Sequence, residues 1–241
     1  MPFTLAHPAI ILPLSGRSFQ HYFYFPALIL GSMSPDFIYY LSGKPTDGGH
    51  TIFYSEWLNL PLCFIFYYIY LTLLKTPLWA NLPCSLSYKL PDTAPLPYWK
   101  QLMIFLFSAW FGMVSHIFLD NFTHGTGYFV QTFPFLQKEI YFPIYKWLQY
   151  GSSAIGLIAM GIYLRTMAKR YPYPQTKSIK QKQRFWVMVL GLSGLAFLCW
   201  NFILPIQLKQ HGILIVRTID CLCLTICLVG LFEICLPKSK E

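Results

Sequence analysis

The side chains that could do chemistry in this chain are few, and they fall early. His7, Asp36, His50, His116, Asp120 and His124 all sit at the ends of apolar segments within the first 124 residues, and they include four of only six histidines. A metal ion needs imidazole and carboxylate groups that meet at one point. An apolar chain poor in charge has little other reason to retain them.

The densest piece is Ser115 to His124, in which His116, Asp120 and His124 recur every four residues. That spacing puts all three on one face of a helix. At ~1.5 Å of rise per residue, His116 and Asp120 are ~6 Å apart along the axis and can share an ion, whereas His124 is ~12 Å from His116. His124 then serves a second ion or a supporting role, unless Asn121 and Gly125 mark a break that folds it back.

Ser34-Pro35-Asp36 reads as a helix start, with Ser as N-cap, Pro in the first turn and Asp stabilised by the helix dipole. It also reads as half of a ligand pair, because His50 follows fourteen residues later, across the Asp47-Gly48-Gly49 turn signal. His7 precedes Pro8 at the end of an apolar start. His21 and His211 do not fit the pattern.

Two further groups suit an anionic substrate. Arg217 and Asp220, at i and i+3 in the last apolar stretch, form either a structural ion pair or a phosphate contact through Arg217. Tyr145, Lys146, Gln149, Ser152 and Ser153 supply donors around the start of another apolar stretch, with Lys146 the cation among them.

These residues need a scaffold, and composition says which kind. At 55% hydrophobic, 19% aromatic and 11% charged, the 241 residues could not clothe a water-soluble domain. Trp57–Leu74, Gln101–Leu119, Tyr150–Ala168, Phe185–Gln207 and Ile213–Leu236 approach or exceed the ~18 to 20 apolar residues that span a bilayer. The expected architecture is all-α, a polytopic transmembrane bundle of about five spans. His21–Leu41, interrupted by Pro26 and Gly31, is expected to be a broken or interfacial helix that does not cross, because a crossing would part His7 from His50.

The net charge of +9 does not mark a nucleic-acid binder, since the cations are not spread over a folded face. Arg165, Lys169, Arg170, Lys177, Lys180, Lys182 and Arg184 fall in one acid-free connection, which the positive-inside bias places in the cytoplasm. Lys75, Lys89 and Lys100 then fall inside too, as do Lys238 and Lys240. The His/Asp set falls on the outer, non-cytoplasmic side. No cleavable signal is expected from residues 1–15, and the seven cysteines, mostly within apolar spans, are expected as buried filler and not as disulfides.

Three regions follow: 1–170 as the metal-site-bearing membrane domain, 171–184 as the basic cytoplasmic loop, and 185–241 as a C-terminal helix pair. Thr76–Lys100, with five prolines, is expected to be irregular, and residues 125–149 to cover the histidine set. No internal repeat supports a transporter.

The chain resembles an uncharacterised bacterial membrane family, the domain of unknown function 4184. The likeness lies in Met1-Pro2-Phe3-Thr4-Leu5-Ala6-His7-Pro8, Gly31-Ser32-Met33-Ser34-Pro35-Asp36, Gly49-His50, Ser115 to His124, and Tyr145-Lys146 with Gln149 to Ser153. More distantly, the order of His, Asp, His, His-x-x-x-Asp and His is similar to that of zinc-dependent phospholipases C, related nucleases and membrane-bound metal-dependent hydrolases. That resemblance implies one zinc held by Asp36, His50, His116 and Asp120, with Asp36 also a general base. It implies a second held in part by His7 and Asp120, and places His124 in a third site. Where the soluble enzymes carry a His-x-x-x-Glu pair, this chain has Tyr150 and Ala154, so the full three-metal set is not expected.

The function expected is a zinc-dependent hydrolase with one or two ions, acting at the outer membrane interface on a phospholipid or lipid-linked phosphate ester. Zinc lowers the pKa of a bound water to ~7 and polarises a phosphoryl or acyl oxygen. The alternative is a non-catalytic scaffold or ion-binding protein with a closed, four-ligand structural site.

Overall fold

The computed structural model describes residues 3–46, 50, 55–89, 96–206 and 210–235. The Asp47-Gly48-Gly49 turn, Pro91, Pro95, Lys238 and Lys240 lie outside the described residues. The protein is all-α, apart from a two-residue antiparallel pairing of Glu139–Ile140 with Phe142–Pro143. Four helical stretches are long and apolar enough to cross a membrane: Trp57–Asn81, Tyr98–Thr132, Ile179–Ile203 and His211–Ile234.

These match four of the five expected spans. The fifth lies inside a 27-residue helix, Ile144–Arg170, that is long enough but less apolar than the others. Gly151, Ser152 and Ser153 near its start and Arg165 near its end account for the difference.

Prolines shape the Trp57–Asn81 stretch. A proline inside a helix lacks an N–H and its ring clashes with the carbonyl four residues back, at Trp57 for Pro61 and at Leu73 for Pro77. Both carbonyls lie in π-helical turns, Ser55–Asn59 and Tyr70–Leu74, whose wider gauge accommodates the rings. The second turn lets the helix run on through Lys75–Asn81, so the proline-rich region is not irregular from Thr76 as expected.

The stretch His21–Leu41 is broken, as the sequence predicts, but at Ser34-Pro35-Asp36 and not at Gly31. Phe25–Met33 is an α-helix with Pro26 in its first turn, Ser34–Asp36 a 3-10 turn, and Phe37–Ser42 a second short helix.

The chain forms two compact units. One comprises Met1–Phe37, Asp47–Phe66 and Thr93–Tyr163. Its centre is the packing of Phe25–Met33 on the 26-residue helix Tyr98–Thr123. Gly31 and Gly112 permit it: a Cβ on Gly31 would lie 2.0 Å from the Ala109 carbonyl oxygen, and one on Gly112 would lie 2.4 Å from that of Leu28. Beyond Thr123 the chain doubles back, with Tyr128 N donating to Asn121 Oδ1 and the Phe129 ring stacked on Phe122 at 4.1 Å.

The other unit comprises Ile38–Thr46, Tyr67–Asp92 and Leu164–Glu241. Ser178 and Gln181 form a capping box that starts the Ile179–Ile203 helix within the basic stretch, so Lys180, Lys182 and Arg184 lie on its first turns and not in the expected 171–184 loop. This helix pairs with His211–Cys235 around Phe185, Val189 and Val229. The six cysteine side chains described, Cys63, Cys84, Cys199, Cys221, Cys223 and Cys227, are free thiols.

Candidate metal centre

The opening segment Thr4–Ser15 is a 3-10 helix, a form in which residues three apart eclipse one another. Thr4 and His7 therefore share a face, and both are buried. Thr4 Oγ1 donates to Asp36 Oδ2 at 2.5 Å, and the His7 ring stacks on that of His116. The 3-10 turn at Ser34-Pro35-Asp36 delivers the carboxylate, whose second oxygen, Oδ1, faces His50 Nε2 at 3.3 Å.

The Tyr98–Thr123 helix brings His116 and Asp120. The Nδ1 of His116 lies 2.7 Å from the Ser32 carbonyl oxygen, which can only accept, so Nδ1 carries the proton and Nε2 presents its lone pair. The helix ends at Thr123, and His124, in extended conformation, turns its Nδ1 back to within 3.5 Å of Asp120 Oδ1. The break near Asn121 and Gly125 thus does fold His124 back toward the others.

The four atoms Asp36 Oδ1, His50 Nε2, His116 Nε2 and Asp120 Oδ2 converge. Asp36 to His50 is 3.3 Å, His50 to Asp120 3.1 Å, His116 to Asp120 3.2 Å, His50 to His116 3.3 Å, and His116 to Asp36 3.8 Å. Four ligands placed tetrahedrally at ~2.0 to 2.2 Å from a zinc ion stand ~3.3 to 3.6 Å from one another. The His50, His116 and Asp120 atoms, 3.1–3.3 Å apart, are close to those dimensions, and Asp36 Oδ1 lies 3.3 Å from His50 and 3.8 Å from His116.

Hydrogen-bond accounting points the same way. Asp36 Oδ1 and both oxygens of Asp120 are buried and have only histidine nitrogens, at 3.1–3.8 Å, as partners among the described residues, and both nitrogens of His7 are buried with no hydrogen bond among them. Buried polar atoms without partners cost roughly 1–3 kcal/mol each, and more when charged. Such atoms gathered in one place fit a cation that satisfies them together. His7, Asp36 and His116 form one group able to hold an ion, and His50, His116 and Asp120 another. His50 is the most open of the four converging residues, with 23% of its side chain exposed.

Two histidines outside the stretches able to cross a membrane show the field at the centre. Burial depresses His50, but the carboxylates of Asp120 and Asp36 outweigh it and raise its pKa to about 9. Its proton then occupies the position a cation would take. Burial, reinforced by neighbouring His116, pushes His7 down to about 3, so His7 is neutral and able to ligate.

All six expected ligands are thus brought to one locus. Lys146, in the same unit, donates to Gln149 Oε1 at 2.8 Å and lies over the Tyr145 ring, while the buried Gln149 Nε2 has no partner among the described residues. Arg217 belongs to the other unit. Its Nη1 donates to Asn201 Oδ1 and the Leu204 carbonyl, and its guanidinium lies over Trp200, so it clamps the end of the Ile179–Ile203 helix. No ion pair joins it to Asp220. The sequence reading missed Thr4 and the Ser32 carbonyl; the signal for Thr4 was its place three residues before His7, legible only once a 3-10 helix is assumed.

The family model for a domain of unknown function, DUF4184, matches residues 1–236, and the chain belongs to that family. No curated protein and no solved structure matches it.

Proposed function

We propose that this member of the DUF4184 family is a membrane-embedded, divalent-metal-dependent hydrolase. Asp36, His50, His116 and Asp120 would hold its principal ion, preferably zinc. The observation that carries the reading is the convergence of buried carboxylate oxygens and imidazole nitrogens within 3.1–3.8 Å of one another, close to the separations of a coordination shell. When bound, the ion would supply Lewis-acid activation of water and polarise a phosphoryl or acyl oxygen.

The remaining chemistry belongs to the chain. Ser32 fixes the His116 tautomer, and Thr4 holds one Asp36 oxygen so that the other faces the centre. His7 and His124 face the Asp120 oxygen turned away from His50, where a second ion would lie. Lys146, with the Gln149 amide, offers donors to an anionic substrate. Because the ligand helix lies within a stretch able to cross a membrane, a phospholipid or lipid-linked phosphate ester reaching the site from the bilayer fits better than a soluble metabolite. The basic 165–184 stretch favours an outward-facing centre.

A second reading has its own observation. Four converging protein ligands are the number that closes a structural zinc site, leaving no position for water. Elemental analysis of the purified protein, with turnover of a phosphodiester and of short-chain phospholipids, separates the two. Hydrolysis abolished by a chelator and by Asp120→Ala, with loss of metal, supports the enzyme. Tightly held metal without turnover supports the structural site, and full metal occupancy in Asp120→Ala overturns both.

A further inference from the structure

We propose that the groove between the Ile179–Ile203 and His211–Cys235 helices binds an anionic phospholipid, its phosphate taken by Arg184 and Lys180. The groove is a cavity of about 160 Å³ whose lining includes Gln181, Arg184, Met188, Phe232 and Glu233. One end is polar and basic, and the wall beyond it is apolar. That is the shape of a site for an amphiphile.

The charges at the polar end do not cancel. Glu233 is the one acid on the lining, and its Oε2 already accepts from Lys177 Nζ and Asn81 Nδ2. Arg184 has no hydrogen bond or ion pair among the described residues and is exposed. Lys180, also exposed and just outside the cavity's lining, precedes it by four residues, which sets it beside Arg184 on the helix surface. Gln181 spends its amide oxygen on the Ser178 backbone N–H, which leaves its NH2 group to donate. A bidentate guanidinium, an ammonium and an amide donor suit a phosphate group.

The apolar wall selects a lipid over a free anion. Met188 is one turn further into the bilayer-length helix from Arg184, and the exposed Phe232 faces the same cavity from the partner helix. An acyl chain lying there would cover surface that otherwise contacts only bulk lipid. Basic pockets between membrane helices are a recurrent setting for anionic head groups. This inference rests on the bilayer placement of the two helices and not on the metal centre.

Thermal unfolding of the full chain in detergent micelles doped with phosphatidylglycerol or phosphatidylcholine provides the test. Phosphatidylglycerol should raise the wild-type midpoint by several degrees more than phosphatidylcholine does. Arg184→Gln with Lys180→Gln should abolish that difference while keeping the lipid-free midpoint, and Arg184→Lys should keep part of it. Equal effects of the two lipids overturn the proposal, as does a preference surviving the double substitution. Inorganic phosphate reproducing the whole effect overturns the lipid assignment. Should the double variant not fold, loss of the wild-type preference at high salt carries the test, and a salt-insensitive preference overturns it. Extraction of the chain from membranes without detergent would instead sink the bilayer placement itself.

Discussion

The His7 ring lies parallel over that of His116, with centroids 3.6 Å apart and planes 13° apart. Two imidazoles stacked that closely in a buried site cannot both be charged, in keeping with the depressed pKa of His7. The stack fastens the opening segment to the ligand helix and leaves His7 Nε2 3.7 Å from Asp120 Oδ1. Asp120 Oδ2 meanwhile faces His50 and His116. A carboxylate divided in this way can bridge two ions ~3.5–4 Å apart.

His7→Phe tests that bridge, because phenylalanine preserves the stack and removes both nitrogens. With two ions bound in the wild type, elemental analysis of the variant should give one per chain. The ion between Asp36, His50, His116 and Asp120 should remain, and turnover that needs both ions should fall by at least an order of magnitude. Unchanged occupancy of two would show that His7 is not a ligand.

Thr4→Val removes the donor to Asp36 Oδ2 and leaves that oxygen buried without a partner. Loss of a partner to a ligating carboxylate typically costs ~10- to 100-fold in metal affinity. Competition with a chelator of known affinity should show a drop in that range, while Thr4→Ser should restore most of the affinity.

Much of this was legible in the sequence because polar residues in an apolar chain stand out. His116 and Asp120 were readable from helical spacing alone, since the Tyr98–Thr123 helix is regular through both. The break at Ser34-Pro35-Asp36 and the return of His124 rest on local backbone geometry; the sequence marked the first only as a helix start and the second only as an alternative. The 3-10 form of Thr4–Ser15 was not legible, because runs longer than three or four residues are uncommon. The Ser32 carbonyl was invisible too, since a backbone acceptor leaves no trace in residue identity.

Metal uptake should depend on pH through His50. In the metal-free protein its pKa is raised to about 9, so an entering cation must displace a proton at any lower pH. Affinity should rise with pH up to about 9 and then level, with about one proton released per ion near neutrality. His7, neutral above about 3, adds no proton competition in that range. The raised pKa also means that metal-free His50 contributes stability fully present below its unfolded value of 6.5, and loses it as pH climbs from there to about 9. Isothermal titration in buffers of different ionisation enthalpy measures the proton count, and an affinity flat between pH 6 and 9 would contradict it.

Gly31→Ala probes the scaffold without touching any ligand. The added Cβ would fall 2.0 Å from the Ala109 carbonyl oxygen and 2.7 Å from its carbon, and both are backbone atoms that cannot swing aside. The Phe25–Met33 helix must therefore move off the ligand helix, taking with it the Ser32 carbonyl that orients His116 and the Asp36 carboxylate beyond it. Overpacking of this kind typically costs ~1–3 kcal/mol, and the displaced ligands add a loss of metal affinity to that cost. Gly151→Ala is the matched control, because nothing lies within 4 Å of its Cβ position and the site is helical. Removing that glycine should be neutral or stabilise by about 0.5–1 kcal/mol, with metal content unchanged. The two substitutions are chemically identical, so a fall in both midpoint and bound metal for Gly31→Ala alone would trace the site's assembly to this helix crossing. Full metal occupancy in Gly31→Ala would show that the ligands gather independently of it.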